Sequence, residues 1–248
     1  MKAMIFAAGL GTRLRPLTDS RPKALVEVAG RPMLSRVIER LVASGVDDIT
    51  VNIHHHAEMI REYLQANPVE GVTFHISDES DLLLDTGGGI LKARKYLDGT
   101  EPFIVYNADI LSNLNLNEMV ENHRRSGAVA TLLIKQRKSS RQLLIDSETN
   151  RMRGWTNLST GELKPDGITT DGAVWRAFGG IHVLSPEIFT ALEKYTSEAK
   201  FSIMPFYIDN CRSLDIRAYQ PAFEYLWHDF GSIDNLKAAE AALSDGKH

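Results

Sequence analysis

The chain has one cysteine, Cys211, in 248 residues. That excludes an intramolecular disulfide and any multi-cysteine metal site, and leaves Cys211 as a small buried apolar residue. No apolar run is long enough to span a membrane and no leader pattern opens the chain, so a cytoplasmic location without a membrane partner is expected. Basic residues are in slight deficit: 28 Lys and Arg stand against 32 Asp and Glu, a net charge of −4. That balance excludes a general nucleic-acid binder, and any anionic ligand must be held by local cations. Zinc-ligand spacing is missing, as is a Ser-His-Asp or Cys-His set for nucleophilic catalysis. Hydrophobic residues still make up 43%, enough for the core of one α/β unit, taken as a single domain over 1–248.

Two familiar phosphate loops are absent as well. A Walker loop needs four residues between its glycines and then Lys-Ser/Thr. The dinucleotide fingerprint needs a third glycine where Leu14 stands. What the chain has instead is MIFAAGLGTRLRPLTDSRPK, Met4 to Lys23. A buried strand runs into Ala8, Gly9 and Gly11, whose small size permits a sharp turn and close backbone approach to a ligand. Thr12, Arg13, Arg15 and Lys23 follow. Free N–H groups with cations in reach describe a polyphosphate cradle.

The segment GLGTRLRPLT followed by PK resembles the signature of the sugar-1-phosphate nucleotidyltransferases. The resemblance implies a Rossmann-like α/β core that joins a nucleoside triphosphate to a sugar 1-phosphate. It extends to Asp85-Thr86 with Gly87-Gly88-Gly89, and to Trp227-His228-Asp229-Phe230-Gly231-Ser232. It implies that Gly87 and Gly88 lie against the base and ribose and that Asp229 is a metal carboxylate. Asn107-Ala108-Asp109 stands where the family usually has Gly-Asp.

The apolar periodicity independently predicts a doubly wound parallel sheet. Strands at 49–53 and 72–76 alternate with helices at 33–42 and 57–66, the second with Met59, Ile60, Tyr63 and Leu64 inward. Short extended pieces are expected over 24–28, and Pro102 to Tyr106 reads as a further buried strand. The turn-rich stretch 151–170 breaks this rhythm and predicts a small antiparallel excursion roofing a sugar pocket, which makes the sheet mixed. Glycine inside the extended run 175–184, at Gly179-Gly180, marks a bulge or a close ligand approach.

Asp109, at the tip of a central strand, is placed to hold Mg²⁺ over a phosphate. Asn107 and Gly180 are candidates for the sugar side, and Arg141 is chosen from the basic cluster Lys135, Arg137, Lys138 and Arg141. Asp85 reads as the cap of a helix at the nucleotide. His54, His55 and His56 cannot easily share one metal because successive side chains diverge. One of them, or Asn52, lies near the nucleotide, or the three are polar loop residues without a role.

The chemistry expected is transfer of a nucleotidyl group. A sugar phosphate is already an anionic nucleophile, so alignment and charge neutralisation replace a general base. Arg13 is assigned to the leaving pyrophosphate, Lys23 to the phosphates, and Asp109 with Asp229 to Mg²⁺. The resemblance leans to uridylyl transfer onto N-acetylmuramate 1-phosphate, with mannose- or heptose-1-phosphate guanylyl transfer as the alternative. Asp78 or Glu79 would supply the acceptor that guanine needs. A non-catalytic nucleotide-sugar-binding subunit is the alternative of another class. Oligomeric state is not legible.

Overall fold

The computed structural model describes residues 1–244, without the side chains of 242 and 244; residues 245–248 of the expected 1–248 unit lie outside the described residues. The opening apolar run forms β1 (Lys2–Phe6). Ala7 and Ala8 leave the sheet because their N–H groups turn to the Oδ1 of Asn52 instead of a neighbouring strand. Two 3₁₀ turns follow, Thr12–Leu14 and Lys23–Leu25. The second shortens the extended piece expected over 24–28 to the hairpin of β2 (Glu27–Val28) and β3 (Arg31–Pro32).

Then come α1 (Met33–Ala43), β4 (Asp48–Ile53), α2 (Ala57–Ala66) and β5 (Thr73–Asp78). Strands β1, β4 and β5 pair in parallel, as the period change between 2 and 3.6 predicts. Ile60 and Leu64 anchor α2 inward, whereas Met59 is 37% exposed at the rim of that stripe. The chain continues through α3 (Asp85–Lys92) and α4 (Arg94–Leu97) to β6 (Phe103–Asn107), which pairs with the other edge of β1. The strand order therefore reverses direction between β1 and β6. In open α/β sheets that is where ligands bind, outside the carboxyl ends of the strands.

The second half is β7 (Ile110–Ser112), α5 (Leu116–Ser126), β8 (Ala130–Lys135), β9 (Arg141–Asp146), β10 (Met152–Asn157), β11 (Glu162–Lys164) and β12 (Ala173–Leu184). It closes with α6 (Ile188–Tyr195), α7 (Ile203–Asn210), β13 (Ile216–Tyr219), β14 (Trp227–Asp229) and α8 (Ile233–Ser244). The long strand β12 is antiparallel to β6, β8 and β9, so the ten-stranded sheet is mixed, with β9–β11 as its antiparallel excursion. The β12–β8 register shifts between Phe178 and His182, the bulge that Gly179-Gly180 announces.

Helices cover both faces. One core gathers under α1, α2 and α5 around Ile5, Leu34, Ile53 and Ile104, and the other under α3, α6 and α7 around Met4, Ile90, Phe189 and Phe206. A third, small cluster joins Leu14, Val28 and Met33 from the beginning of the chain to Phe230 and Leu236 from its end. No helix among the described residues is long and apolar enough to cross a membrane.

Candidate active site

A cavity of about 480 Å³ opens at the carboxyl ends of β1, β4, β5 and β6. Phe6 to Leu14 form one wall, with Lys23 and Ala24; Asn52, Glu79, Leu83, Asp85 and Thr86 form the opposite one. Asn107, Ala108 and Asp109 lie at the floor, and Lys200 and Gly231 reach in from the second half.

The first glycine loop is open. A Cβ on Gly9 would meet nothing within 4 Å, and Gly11 adopts φ 64°, a left-handed conformation that glycine alone takes without strain. A Cβ on Gly11 would stand 2.8 Å from the Thr18 methyl, and Thr18 in turn donates its hydroxyl to the Gly11 carbonyl at 2.9 Å. The N–H groups of Gly9, Leu10 and Gly11 have no acceptor among the described residues. Three backbone donors aimed at a cavity, with Thr12 and Arg13 next in line, form an anion-binding concavity. Arg15 turns away to Asp19 at 3.3 Å and does not line the cavity.

The second glycine run is placed differently from expectation. The N–H groups of Gly87 and Gly88 donate to the Phe201 carbonyl at 2.9 and 3.1 Å, so neither is offered to a ligand. A Cβ on Gly87 would strike the Phe201 ring, and one on Gly88 the Ala199 carbonyl. These glycines let α3 press against the chain entering α7. The wall of the cavity beside this run is lined instead by Leu83, Asp85 and Thr86. Asp85 sits at φ 61°, unusual for a residue with a Cβ, and its Oδ1 accepts from the Thr86 N–H at 2.6 Å.

Lys23 and Asp109, 86 positions apart, form an ion pair on the cavity floor. Asp229 arrives on β14, which pairs with β7 so that Asp229 lies opposite Ile110. The Phe230 N–H donates to the Asp109 carbonyl at 2.8 Å, which ties the residue after Asp229 to Asp109. Asp229 itself does not line the cavity, and its Oδ1 accepts from the Gly231 N–H at 3.1 Å and from Asn235 Nδ2 at 2.5 Å. A Cβ on Gly231 would be 2.9 Å from Arg13 Nη2 and 3.0 Å from Asp229 Oδ1. The missing side chain thus leaves room for both groups beside Gly231. Among the described residues no group of three or more His, Cys, Asp or Glu could enclose a metal. Two carboxylates suit a hard divalent cation that takes its remaining ligands from phosphate and water.

Of the residues expected on a sugar side, Gly180 (φ 76°) packs against Asn107, whose Nδ2 would lie 3.1 Å from a Cβ there. Arg141 is exposed at the start of β9 and is not brought to the cavity. Its neighbours Lys135 and Arg137 do not line the cavity either, but they rest on the aromatic side chains that lead into the Asp229 strand: Lys135 lies 4.7 Å over Tyr225 and Arg137 lies 5.3 Å over Trp227. Burial holds the Lys135 ammonium below its ordinary pKa. His228 is lowered by burial and then by the charge of Lys135.

Both acceptors considered for guanine are already engaged. Asp78 is tied to Arg61 and Ser80 and does not line the cavity. Glu79 is fully buried, with Oε1 accepting from Asn52 and Oε2 from the Leu84 N–H. Of the histidines, His54 Nδ1 meets the Glu79 carbonyl at 2.7 Å, while His55 and His56 contact each other with ring centroids 3.9 Å apart. His55 is held below its ordinary pKa by burial, then by His56, His54 and Arg15. Lys200 was missed by sequence reasoning: it is a lone cation in a loop, with no pattern around it.

An open N–H loop at a switch point, with Arg13, Lys23, Lys200 and Asp109 lining the same cavity, suits an α/β enzyme of the nucleotidyltransferase class. A sequence model of the family described as nucleotidyl transferase matches residues 2–246, and the chain belongs to that family, as a sugar-1-phosphate nucleotidyltransferase. It is 33% identical over 249 residues to the N-acetylmuramate alpha-1-phosphate uridylyltransferase of Caulobacter vibrioides, covering 98% of this chain and 97% of that one. It is 40% identical over 136 residues to mannose-1-phosphate guanylyltransferase 1 of Arabidopsis thaliana, covering 54% of this chain and 38% of that protein. The solved structure of a UDP-glucose pyrophosphorylase complexed with UDP-glucose shares the fold, with TM-score 0.79 and 20% identity over 99% of this chain and 98% of that one.

Proposed function

We propose that the chain transfers a uridylyl group from UTP to N-acetylmuramate 1-phosphate, as a single unit over 1–248 working in the cytoplasm. The observation that carries the transfer chemistry is the Lys23–Asp109 pair on the floor beneath the free N–H groups of Gly9 to Gly11. The triphosphate lies along Ala8, Gly9, Gly11 and Thr12, with Arg13 facing the leaving pyrophosphate and Lys23 the phosphates nearer the transferring centre. Leu83, Asp85 and Thr86 face the base and ribose. A phosphate oxygen of the sugar attacks the α-phosphorus, the bond to the β-phosphate bridging oxygen breaks, and pyrophosphate leaves with that electron pair. No proton has to be removed from the nucleophile, so the residues act by alignment and by neutralising crowded negative charge. Asp109 and Asp229 would hold Mg²⁺, which supplies charge neutralisation at the phosphates when bound. The sugar phosphate enters past Asn107 and Gly180, with Lys135 and Arg137 taking the role first given to Arg141.

Two facts support uridylyl over guanylyl transfer. The likeness to the uridylyltransferases runs along 97% of their own length at 33% and 30% identity, whereas the matched guanylyltransferases, one of which spans all of this chain at 28% identity, are covered over only 38–69% of theirs. Asp78 and Glu79, either of which could have served guanine as an acceptor, are engaged with the protein. The test is a matrix of the four nucleoside triphosphates against several sugar 1-phosphates with Mg²⁺, reading pyrophosphate. UTP with N-acetylmuramate 1-phosphate should turn over fastest. Uridylyl transfer is excluded if UTP is inert with every sugar while GTP reacts.

A further inference from the structure

We propose that Asn52 and Glu79 are a positioning pair, a buried clasp that sets the register of the triphosphate in the first glycine loop; the proposal rests on the nucleotide reading of the cavity given above. Asn52 is 2% exposed and Glu79 0%. Asn52 Oδ1 accepts from the N–H groups of Ala7 and Ala8 at 2.7 and 3.3 Å. This fixes the amide orientation, so its Nδ2 must donate outward, and it meets Glu79 Oε1 at 2.8 Å. The remaining Glu79 oxygen, Oε2, accepts from the Leu84 N–H at 3.0 Å. The Glu79 backbone is itself held on both sides, its N–H donating to Ile53 at 2.8 Å and its carbonyl meeting His54 Nδ1.

One unbroken polar chain thus runs from the phosphate wall of the cavity to the wall that carries Leu83, Asp85 and Thr86. Its first consequence concerns donors. Ala7 and Ala8 spend their N–H groups on Asn52, so the open donors begin at Gly9. Release of the clasp would add two donors one step earlier in the loop and let an anion bind out of register. Its second consequence is spatial, because the walls that hold the two ends of the nucleotide cannot separate without breaking buried hydrogen bonds. Gly89 is shaped to this pair: a Cβ there would stand 3.0 Å from Glu79 Oε1 and 3.4 Å from Asn52 Nδ2. Neither side chain touches the reacting atoms; each acts through the backbone it holds.

The donor–acceptor order gives the pair a specific test. In Asn52→Asp an oxygen faces Glu79 Oε1, acceptor against acceptor. In Glu79→Gln the new amide must point its NH₂ at Asn52 Nδ2 or at the Leu84 N–H, donor against donor. In the double variant every contact returns with one bond reversed. The carboxylate introduced at position 52 accepts from Ala7, from Ala8 and from the amide introduced at position 79, and the oxygen of that amide accepts from Leu84. The measurements are UTP and GTP affinity by calorimetry with Mg²⁺ present, KM for each substrate, kcat and melting temperature. Each single variant should weaken the better-binding nucleotide and raise its KM by roughly tenfold or more, with KM for the sugar phosphate little changed. The double variant should recover to within about threefold of the parent. The proposal is overturned if the double variant is no better than the worse single one. It is equally overturned if the singles lower only the melting temperature, or if neither nucleotide binds the parent. Nucleotide affinity is read without a sugar, so a wrong choice of sugar defeats the functional reading and leaves the clasp tested.

Discussion

Two glycine clusters stand beside one cavity, Gly9 to Gly11 and Gly87 to Gly89, and their surroundings are opposite. Around Gly9 there is empty space and around Gly9, Leu10 and Gly11 there are N–H groups without acceptors. Around the second cluster there is protein on every side: Phe201 at Gly87, the Ala199 carbonyl at Gly88 and the Glu79 carboxylate at Gly89. In the first loop the missing side chain makes room for a ligand. In the second it makes room for α7 and for the clasp. A glycine-rich segment beside a strand end is therefore ambiguous until its free N–H groups are counted, because packing and ligand approach ask for the same residue.

The sharpest way to break this contrast is to attack the first loop through its charge partner. Lys23→Ala should lower the rate of pyrophosphate release by on the order of 10²–10³ while leaving the melting temperature nearly unchanged, since the Lys23–Asp109 pair is partly exposed. A rate at the parental level would remove Lys23 from the chemistry.

The next effect separates the loops directly. Gly88→Ala forces a Cβ against the Ala199 carbonyl and should cost about 1–3 kcal/mol of stability. Gly9→Ala should leave stability within about 0.5 kcal/mol, since its Cβ meets nothing, and instead raise KM for the nucleotide. Thermal melts and nucleotide titrations of the two variants would have to exchange places to undo the comparison.

The last effect needs no substitution and changes no rate at neutral pH: acid sensitivity on the packed side. His182 is buried against Tyr207 of α7, the helix that the second glycine run abuts, and burial lowers its pKa to about 3. His123, held between Thr131 and Ser185, is lowered by burial and then by Arg124 to about 4. A histidine depressed in the folded state takes up its proton more readily when unfolded. Stability is therefore intact above the unfolded value near 6.5 and falls as pH drops toward 4, by up to about 2 kcal/mol per residue at pH 5. Melting curves from pH 7 to 4 should show this slope, and His182→Gln should flatten it.

Much of the fold is visible in the sequence because its parallel half is built by rule. Apolar runs, Gly45 and Gly127 mark elements within a few residues, and the Met4–Lys23 segment carries two of the cations that line the cavity, Arg13 and Lys23. Local pattern is silent where distant chain decides. Arg141 and Arg137 are equivalent in a basic cluster, and the path of β9 with the aromatic face of Trp227 separates them. Lys200 enters the cavity because Gly87 and Gly88 hold the 199–201 segment against α3. Glu79 reads beside Asp78 as an acceptor for a base and is instead fully buried, its carboxylate taken by Asn52 one strand away and by the Leu84 N–H.

The backbone bond from Phe230 to Asp109 and the small third core give the last segment a temporal meaning. The first glycine loop, Lys23 and Asp109 leave the ribosome about 120 residues before Asp229 and Gly231 do. At ~5–20 residues per second the nascent chain spends roughly 6–24 s with its nucleotide wall made and its closing strand unborn. Leu14, Val28 and Met33 wait through that interval with their apolar faces uncovered, until Phe230 and Leu236 arrive to seal them. The cavity is thus completed late in synthesis, by the same short segment that hides the first half's last sticky patch.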